Sequence, residues 1–487
     1  MAQRVVLAID EGTTNSKAVL VSEAGEILAS GSAPVPTEHP RSGWVQQDAN
    51  EIWAATQKAI TACLASRPEV EIAALGISNQ RESILIWDRE TGAPLGPVVT
   101  WQCRRTSAAC EALKQAGHEA DVIARTGLPI DPLFPAPKAA WLIENHGAAS
   151  SEICIGTVDS WLIWKFSGGA VHATDRSNAA RTQLFNLSES RWDDQLCALF
   201  KIDPAMLPEV KDSAHVFGQT RGTGVMPDGI PIASAIGDSH AALFGHGAFG
   251  HGDGKITFGT GSSVMTTIPD FIEPPKGITT TIAWSLNGQS TYAFEGNILV
   301  SASILPWTAT LLGLDGVEAL LDLAQTVDTS GEVSLIPAHV GLGSPYWDSE
   351  ARGLICGLSF GAGPAHIARA AVESMAFQVQ DIYAIMSHAA GGIGRLSVDG
   401  GPSGNPFLMQ LVADYINHAV TPNKNSEASA IGAAYLAGLA TGVWPDLDTL
   451  AGLVKRGTKI APQMAEEPRH GDLERWRKAV ARVLCDV

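Results

Sequence analysis

Two short turns rich in glycine and threonine give this chain its first chemical possibility. Asp10-Glu11-Gly12-Thr13-Thr14-Asn15-Ser16-Lys17 follows the apolar run Val5-Val6-Leu7-Ala8-Ile9 and precedes Ala18-Val19-Leu20-Val21. Midway along, Gly259-Thr260-Gly261-Ser262-Ser263 follows Lys255-Ile256-Thr257-Phe258 and precedes Val264-Met265-Thr266-Thr267-Ile268. Each reads as strand, tight turn, strand. Glycine allows positive φ and leaves room for an oxyanion, and the turn's N–H groups and hydroxyls can donate to it. Two such hairpins predict a duplicated domain that clamps a phosphate chain between its halves, a nucleotide site made without a P-loop.

Carboxylates stand beside both features. Asp10 ends an apolar strand just before the first turn, where it reads either as an Asx-turn former or as a carboxylate facing Mg²⁺ beside phosphates. Asp238 follows the apolar run Ile232–Ile236 and precedes an alanine-rich segment. It is either a helix N-cap or a general base that takes a proton from an attacking hydroxyl. Arg81-Glu82 lies on a short connection where Gly, Asn or Asp is more usual. The pair is either a surface salt bridge or a fixed donor and acceptor for a vicinal diol. Trp101-Gln102-Cys103-Arg104-Arg105 sets an aromatic face beside basic residues, with a core tryptophan as the alternative. No GxxxxGK[ST], protein-kinase catalytic loop or HExxH occurs, and His240, His246 and His251 match no standard zinc spacing.

The elements that must position these residues alternate between strand and helix signals, which predicts an α/β architecture. Ile72–Ser78 and Ser83–Asp88 read as strands flanking Asn79-Gln80-Arg81-Glu82. Helices are expected over 49–65, with Asp48 or Asn50 as cap, and over 107–116, 138–145 and 406–417. Residues 232–245 read as strand, turn, helix, and Leu396–Gly401 as a strand entering a glycine-rich turn. A final helix pair, 428–441 and 472–484, is expected to close the second half. The boundary falls near Gly247, giving domains 1–246 and 247–487.

Composition sets the frame. A chain of 487 residues is too long for one ordinary core, and 45% hydrophobic with 17% charged residues is a globular balance. The net charge of −18 speaks against nucleic acid as a partner and requires any polyphosphate to be held by local donors and a metal ion. No apolar run is long enough for a bilayer, and the start lacks a signal-peptide layout. Seven scattered cysteines without a CxxC read as reduced thiols, so the expectation is a cytoplasmic enzyme with no membrane association.

In this order, the segments resemble the FGGY family of carbohydrate kinases, and within it the glycerol kinases most, from about Arg4 to about Trp444. Gly43-Trp44-Val45-Gln46-Gln47-Asp48, Asn79-Gln80-Arg81-Glu82, Trp101–Arg105 and Gly156–Leu162 are close to glycerol-kinase wording. The run from Gly353 through Gly357-Leu358 to Glu373 fits the family's long second signature, while the first, around Lys138 and Trp141–Asn145, is partly met. The resemblance implies two actin-like, ribonuclease-H-like domains with a catalytic cleft between them, and ATP with Mg²⁺ as cofactors. It implies that Thr13, Thr14, Asn15, Lys17 (where an arginine often stands) and Thr260 contact nucleotide phosphates, and that Gly401 and Asn405 hold the adenosine. Arg81, Glu82, Trp101 and Asp238 would bind a polyol, with Asp238 also the base. Asp10 and Asp238 would face the metal. A homo-oligomer, dimer or tetramer, is expected from the same source.

Two departures bear on the substrate. Leu133 in Ile130-Asp131-Pro132-Leu133-Phe134 stands where glycerol kinases usually have tyrosine, and Ser239 where glutamine usually follows the catalytic aspartate. Both changes remove hydrogen bonds and enlarge the pocket. On the adenosine side, Ala302 and Pro306 replace a more usual glycine and glutamine. The leading expectation is phosphorylation of a terminal hydroxyl of glycerol. The alternative is a four- or five-carbon polyol or ketose such as erythritol, xylitol, ribulose or xylulose. A non-catalytic actin-like ATPase or sugar sensor would need neither Arg81-Glu82 nor Asp238.

Overall fold

The computed structural model describes residues 3–147, 152–425 and 427–484. Two six-stranded sheets organise it. The first runs Ala214–Gln219, Pro231–Gly237, Glu71–Asn79, Arg4–Glu11, Asn15–Ser22, Ile27–Pro34. The second runs Thr279–Leu286, Gln289–Ile298, Ser262–Ile268, Gly254–Phe258, Leu396–Asp399, Val420–Pro422. In each, the strand entering the Gly-Thr turn pairs antiparallel with the next strand and parallel with a later one. This is the duplicated, actin-like plan, and it puts both turns at corresponding ends of corresponding strands.

Local chemistry explains the elements. The first turn is closed by Gly12 N donating to Asn15 O at 3.0 Å, and the second by Gly259 N donating to Gly261 O at 2.8 Å. Helix Ala49–Ala65 starts where Asp48 accepts from Asn50 N and Glu51 N, and it buries Ile52, Ala55, Ala59, Ile60 and Cys63 at helical spacing. The expected 138–145 helix is longer, Pro135–His146, because Pro135 suits a first helical turn.

The two sheets share a helical layer. Val6, Ala8, Val19 and Val21 of the first and Met265, Ala283 and Trp284 of the second pack against helices Asp238–Gly245 and Ala428–Ala440. Those helices approach closely because they meet through glycine: a Cβ on Gly245 would strike Ala428 O, and one on Gly432 would strike Ala241 O.

Two expectations are corrected. The two helices expected to close the second half form no pair: helix Leu447–Leu453 lies between them in the chain, Ala428–Ala440 lies against the first sheet, and Glu466–Val483 joins the second lobe's core, where Trp476 stacks on Phe377 at 5.2 Å. The alanine- and glycine-rich composition of the former suits tight packing between layers, and the amphipathic latter needs only one apolar face. No turn separates strand from helix at 237–238, since Gly237 itself is the N-cap and Asp238 the first helical residue. The strands expected on either side of Arg81 are both present, and they belong to different sheets. Glu71–Asn79 is in the first, and Ile84–Asp88 is in a four-stranded sheet with Gln46–Gln47, Val98–Val99 and Ile153–Thr157. Among the described residues, no single helix is long and apolar enough to cross a membrane.

Candidate active site

Asp238 opens its helix at the end of an apolar strand, and its carboxylate is 39% exposed. Its Oδ1 accepts from Arg81 Nε at 3.1 Å and from Ser239 N at 2.6 Å. Surrounding protein raises its pKa, opposed chiefly by the Arg81 charge. The cap alternative fails because Gly237 occupies that position. Asp10 is no turn former either. It lies within strand Arg4–Glu11, where its Oδ1 accepts from Ser78 Oγ at 2.8 Å. Burial, then the nearby Asp238 charge, pushes Asp10 up to about 6. The two carboxylates are electrostatic neighbours, and of the two only Asp238 has an ion-pair partner among the described residues.

Arg81 and Glu82 do not pair with each other, and neither is a surface residue. Arg81 Nη1 donates to Glu295 Oε2 at 2.9 Å, and Nη2 lies 2.8 Å from Glu295 Oε1. Glu82 instead takes Arg181 Nε at 2.6 Å, and Arg181 Nη1 lies 2.9 Å from Glu295 Oε2. Glu82 holds a left-handed backbone, φ 60°, and its carbonyl accepts from Lys138 Nζ at 3.1 Å. Lys138 also donates to Leu133 O at 2.6 Å, so one buried ammonium ties Glu82 to Leu133; burial lowers its pKa to about 7. Leu133 and Ser239 are both half-buried.

Trp101 is half-buried, not a core residue, and its Nε1 donates to Thr13 Oγ1 at 2.9 Å. The aromatic face is thereby fixed to the first Gly-Thr turn. Thr14 and Asn15 are exposed at the turn's tip, with Asn15 Nδ2 donating to Thr14 Oγ1 at 3.2 Å. Lys17 reaches across to Glu427, with Nζ at 2.7 and 2.9 Å from its carboxylate oxygens. Thr260 is exposed, and its carbonyl accepts from Ser301 N and Ser303 Oγ at 2.8 and 2.9 Å. Gly401 begins a short 3₁₀ turn after Gly400, whose φ is 88°. Asn405 caps helix Pro406–Ile416, Oδ1 accepting from Leu408 N at 2.9 Å, which leaves its amide N–H groups for another partner.

Sequence reasoning missed Glu295, Arg181 and Lys255. All three are buried, and Glu295, a charged residue directly after Tyr292-Ala293-Phe294, carried the one local signal. Lys255 Nζ donates to Thr257 Oγ1 at 2.8 Å, and Asp399 and Asp238 both act on its charge.

Two homologous sheets, a Gly-Thr hairpin on each and a carboxylate–guanidinium cluster beside them define a sugar-kinase type of site. Residues 5–245 match the N-terminal domain and residues 254–441 the C-terminal domain of the FGGY family of carbohydrate kinases. The chain belongs to that family and is a phosphotransferase. Among its relatives, an apulose kinase of Pectobacterium atrosepticum is 45% identical across 98% of both chains. A glycerol kinase of Carboxydothermus hydrogenoformans is 41% identical over 99% of this chain and 98% of that one. The crystal structure of Plasmodium falciparum glycerol kinase with ADP superposes with a TM-score of 0.95 at 30% identity, covering 100% of this chain and 99% of that one.

Proposed function

We propose that this protein transfers the γ-phosphoryl group of ATP to a terminal hydroxyl of a small polyol, with glycerol the leading acceptor. The observation that carries the reading is the position of Asp238, which is joined to Arg81 on one side and acts electrostatically on Asp10, at the first Gly-Thr hairpin, on the other.

A divalent cation fits this place. Asp10 is raised by burial and by Asp238, and Lys17, whose charge opposes that rise, is already engaged by Glu427. Among the described residues, no group of three or more His, Cys, Asp or Glu could hold a metal by itself. That suits Mg²⁺, which binds through one or two carboxylates and completes its shell with phosphate oxygens and water. ATP supplies the phosphoryl group, and Mg²⁺ neutralises its charge. Thr13, Thr14, Asn15 and Thr260 donate to the phosphates from the two turns. Gly401 leaves room for the adenosine, and Asn405 offers its amide. Arg81 and Glu82 orient the acceptor's hydroxyls and Trp101 lies along its carbons. Asp238 takes the proton of the attacking hydroxyl late in transfer, since phosphoryl transfer is governed mainly by positioning and charge stabilisation.

Residues 1–246 form the acceptor-side domain in this reading and 247–487 the nucleotide-side domain. A homo-oligomer, dimer or tetramer, suits the large apolar side chains left in solvent on the second lobe: Trp307, Leu311, Val340, Leu358 and Phe360. The cytoplasm, where ATP is supplied, is the compartment such an enzyme needs.

A second reading is favoured by Leu133 and Ser239, which leave room and remove polar partners: a four- or five-carbon polyol or ketose as acceptor. The relative named an apulose kinase supports it. An ADP-release assay with glycerol, erythritol, threitol, xylitol, ribulose, xylulose, apulose and dihydroxyacetone tests both. Turnover of glycerol at the highest kcat/KM supports the first reading, a higher value for a larger acceptor the second, and no acceptor-dependent ADP release refutes both.

A further inference from the structure

We propose that Glu295 is a positioning residue for the acceptor: from the second lobe it holds Arg81 and Arg181 so that Arg81, Glu82 and Asp238 meet the acceptor's hydroxyls in one fixed arrangement. The inference rests on the polyol-kinase reading and adds a residue to it.

Glu295 lies in strand Gln289–Ile298, opposite Met265 and Thr279, and therefore belongs to the second sheet. Its side chain has no solvent exposure. Both oxygens are taken by arginines of the first lobe: Oε1 by Arg81 Nη2 at 2.8 Å, and Oε2 by Arg81 Nη1 and Arg181 Nη1, each at 2.9 Å. The remaining Nε of each arginine reaches outward, from Arg81 to Asp238 Oδ1 at 3.1 Å and from Arg181 to Glu82 Oε1 at 2.6 Å. The order is Asp238, Arg81, Glu295, Arg181, Glu82. Glu295 is the middle member and the one supplied by the second sheet.

That middle position decides what the ends can do. A carboxylate gripped by both Nη atoms of one guanidinium fixes the plane of that guanidinium, which a single contact would not. With its Nη edge on Glu295, Arg81 turns Nε toward Asp238. Arg181 is held by Glu295 through Nη1 alone, and Glu82 on its Nε supplies the second contact that orients it. Each terminal carboxylate spends one oxygen in the network, Asp238 Oδ1 and Glu82 Oε1, so its second oxygen stands outside it. Without Glu295, Arg81 and Arg181 are two buried like charges lacking their common counter-ion, and they separate or draw in water. The two arginines hold the Glu295 carboxyl well below the usual carboxylate range, so it remains charged throughout the working pH. Ser263 Oγ, from the strand leaving the second Gly-Thr turn, lies 3.4 Å from Oε1 and ties the carboxylate to that hairpin.

Glu295→Gln keeps the shape, removes the charge and turns an N–H toward an arginine. We expect kcat/KM for the acceptor to fall about 100-fold, carried mainly by a higher acceptor KM, because a partner of a buried hydrogen-bonded charge pair has been removed. The KM for ATP and the affinity for a fluorescent ADP analogue should stay within about threefold of the native values, since the turns at Thr13 and Thr260 are untouched. Glu295→Asp retains the counter-charge but cannot reach both arginines, and it should show the same split with a near-native unfolding temperature. Acceptor KM unchanged in a folded variant, or acceptor and ATP constants worsening together, overturns the proposal. So does failure of both variants to fold, which would make Glu295 a support of the lobe contact alone. If the native protein phosphorylates no polyol or ketose, the function reading has failed; if it does and Glu295→Gln binds acceptor normally, only this inference has.

Discussion

Replacing Asp238 by asparagine isolates the chemical step from the rest of the site. The two contacts that fix the side chain both fall on Oδ1, from Arg81 Nε at 3.1 Å and Ser239 N at 2.6 Å. An asparagine carbonyl can accept both, so the variant keeps its rotamer and puts an NH₂ where Oδ2 was. That group donates instead of taking a proton. Arg81 stays anchored because Glu295 holds its other edge at 2.8 and 2.9 Å. The loss is therefore the general-base contribution, typically about 10²–10⁴-fold in kcat, or roughly 3–5 kcal/mol of transition-state stabilisation. The KM for ATP should move by less than about threefold. The native enzyme should also lose kcat/KM as the pH falls through the raised pKa of Asp238, because only the ionised form accepts a proton. Asp10, Arg81, Glu82, Lys255 and the Ser239 N–H all act on that group, so the limb reports the cluster as a whole. Coupled ADP release, measured in steady state from pH 5 to 9, reads both effects. An Asp238→Asn enzyme turning over within about threefold of native, or retaining the same acid limb, would refute the assignment.

The remaining predictions concern specificity, buried charge and backbone. Leu133→Tyr combined with Ser239→Gln restores two polar groups and fills space, so kcat/KM for glycerol should rise relative to five-carbon acceptors by about 10-fold; an unchanged ratio in the acceptor panel refutes it. Glu11 is fully buried and pushed up from 4.5 to about 8, mainly by desolvation, with Thr56 Oγ1 donating to Oε2 at 3.1 Å. Between those pH values the folded chain keeps a proton that the unfolded chain has lost, so this group's contribution to stability falls by about 1.4 kcal/mol per pH unit as pH rises. Glu11→Gln should thus gain on the native protein in urea unfolding between pH 5 and 8.5, and parallel curves would count against it. At Gly400, φ is 88° and an added Cβ would strike Phe258 O, so Gly400→Ala should weaken ATP binding about 10-fold or more and leave acceptor KM alone; native ATP affinity by fluorescence titration would contradict that.

What could be read in the sequence was whatever is decided within a few residues. Both hairpins are local: an apolar run, a glycine that must accept a special backbone or close contact, and a second apolar run. Helix Ala49–Ala65 was legible to the residue because Asp48 caps it and its buried positions repeat at helical spacing. The cap reading of Asp238 was wrong for a local reason too, since Gly237, at φ −64° and ψ 146°, already has the extended backbone a cap needs. The partners of the charged residues were beyond reach. Arg81 meets Glu295 across 214 positions and Arg181 meets Glu82 across 99, and no periodicity encodes such a pairing. Adjacent in sequence, Arg81 and Glu82 looked like one pair, but the left-handed backbone at Glu82 sends their side chains to different partners. The Ala428–Ala440 helix misled for the opposite reason: buried nearly all round, it has no polar face to show which lobe it belongs to.

The charge distribution explains why an acidic protein can serve a polyanionic cofactor here. Its 33 lysines and arginines are outnumbered by 51 acidic residues, so the overall field does not recruit ATP. The buried charges divide by task instead. On the proposed acceptor side, two guanidiniums face three carboxylates, Glu295, Glu82 and Asp238, so that end would present directed hydrogen bonds and no net positive charge, the environment a neutral polyol needs. Toward the phosphates, Asp10 has no ion pair among the described residues, its neighbour Asp238 is already paired with Arg81, and Lys17 is committed to Glu427. An anion alone would be repelled there, whereas an anion arriving with a divalent cation would not. The site should therefore discriminate strongly between MgATP and free ATP: titrating ATP into protein held in excess EDTA should give weak binding, with added Mg²⁺ restoring it. Equal affinity with and without the metal would mean that the turns' donors alone hold the nucleotide and that Asp10 faces something else.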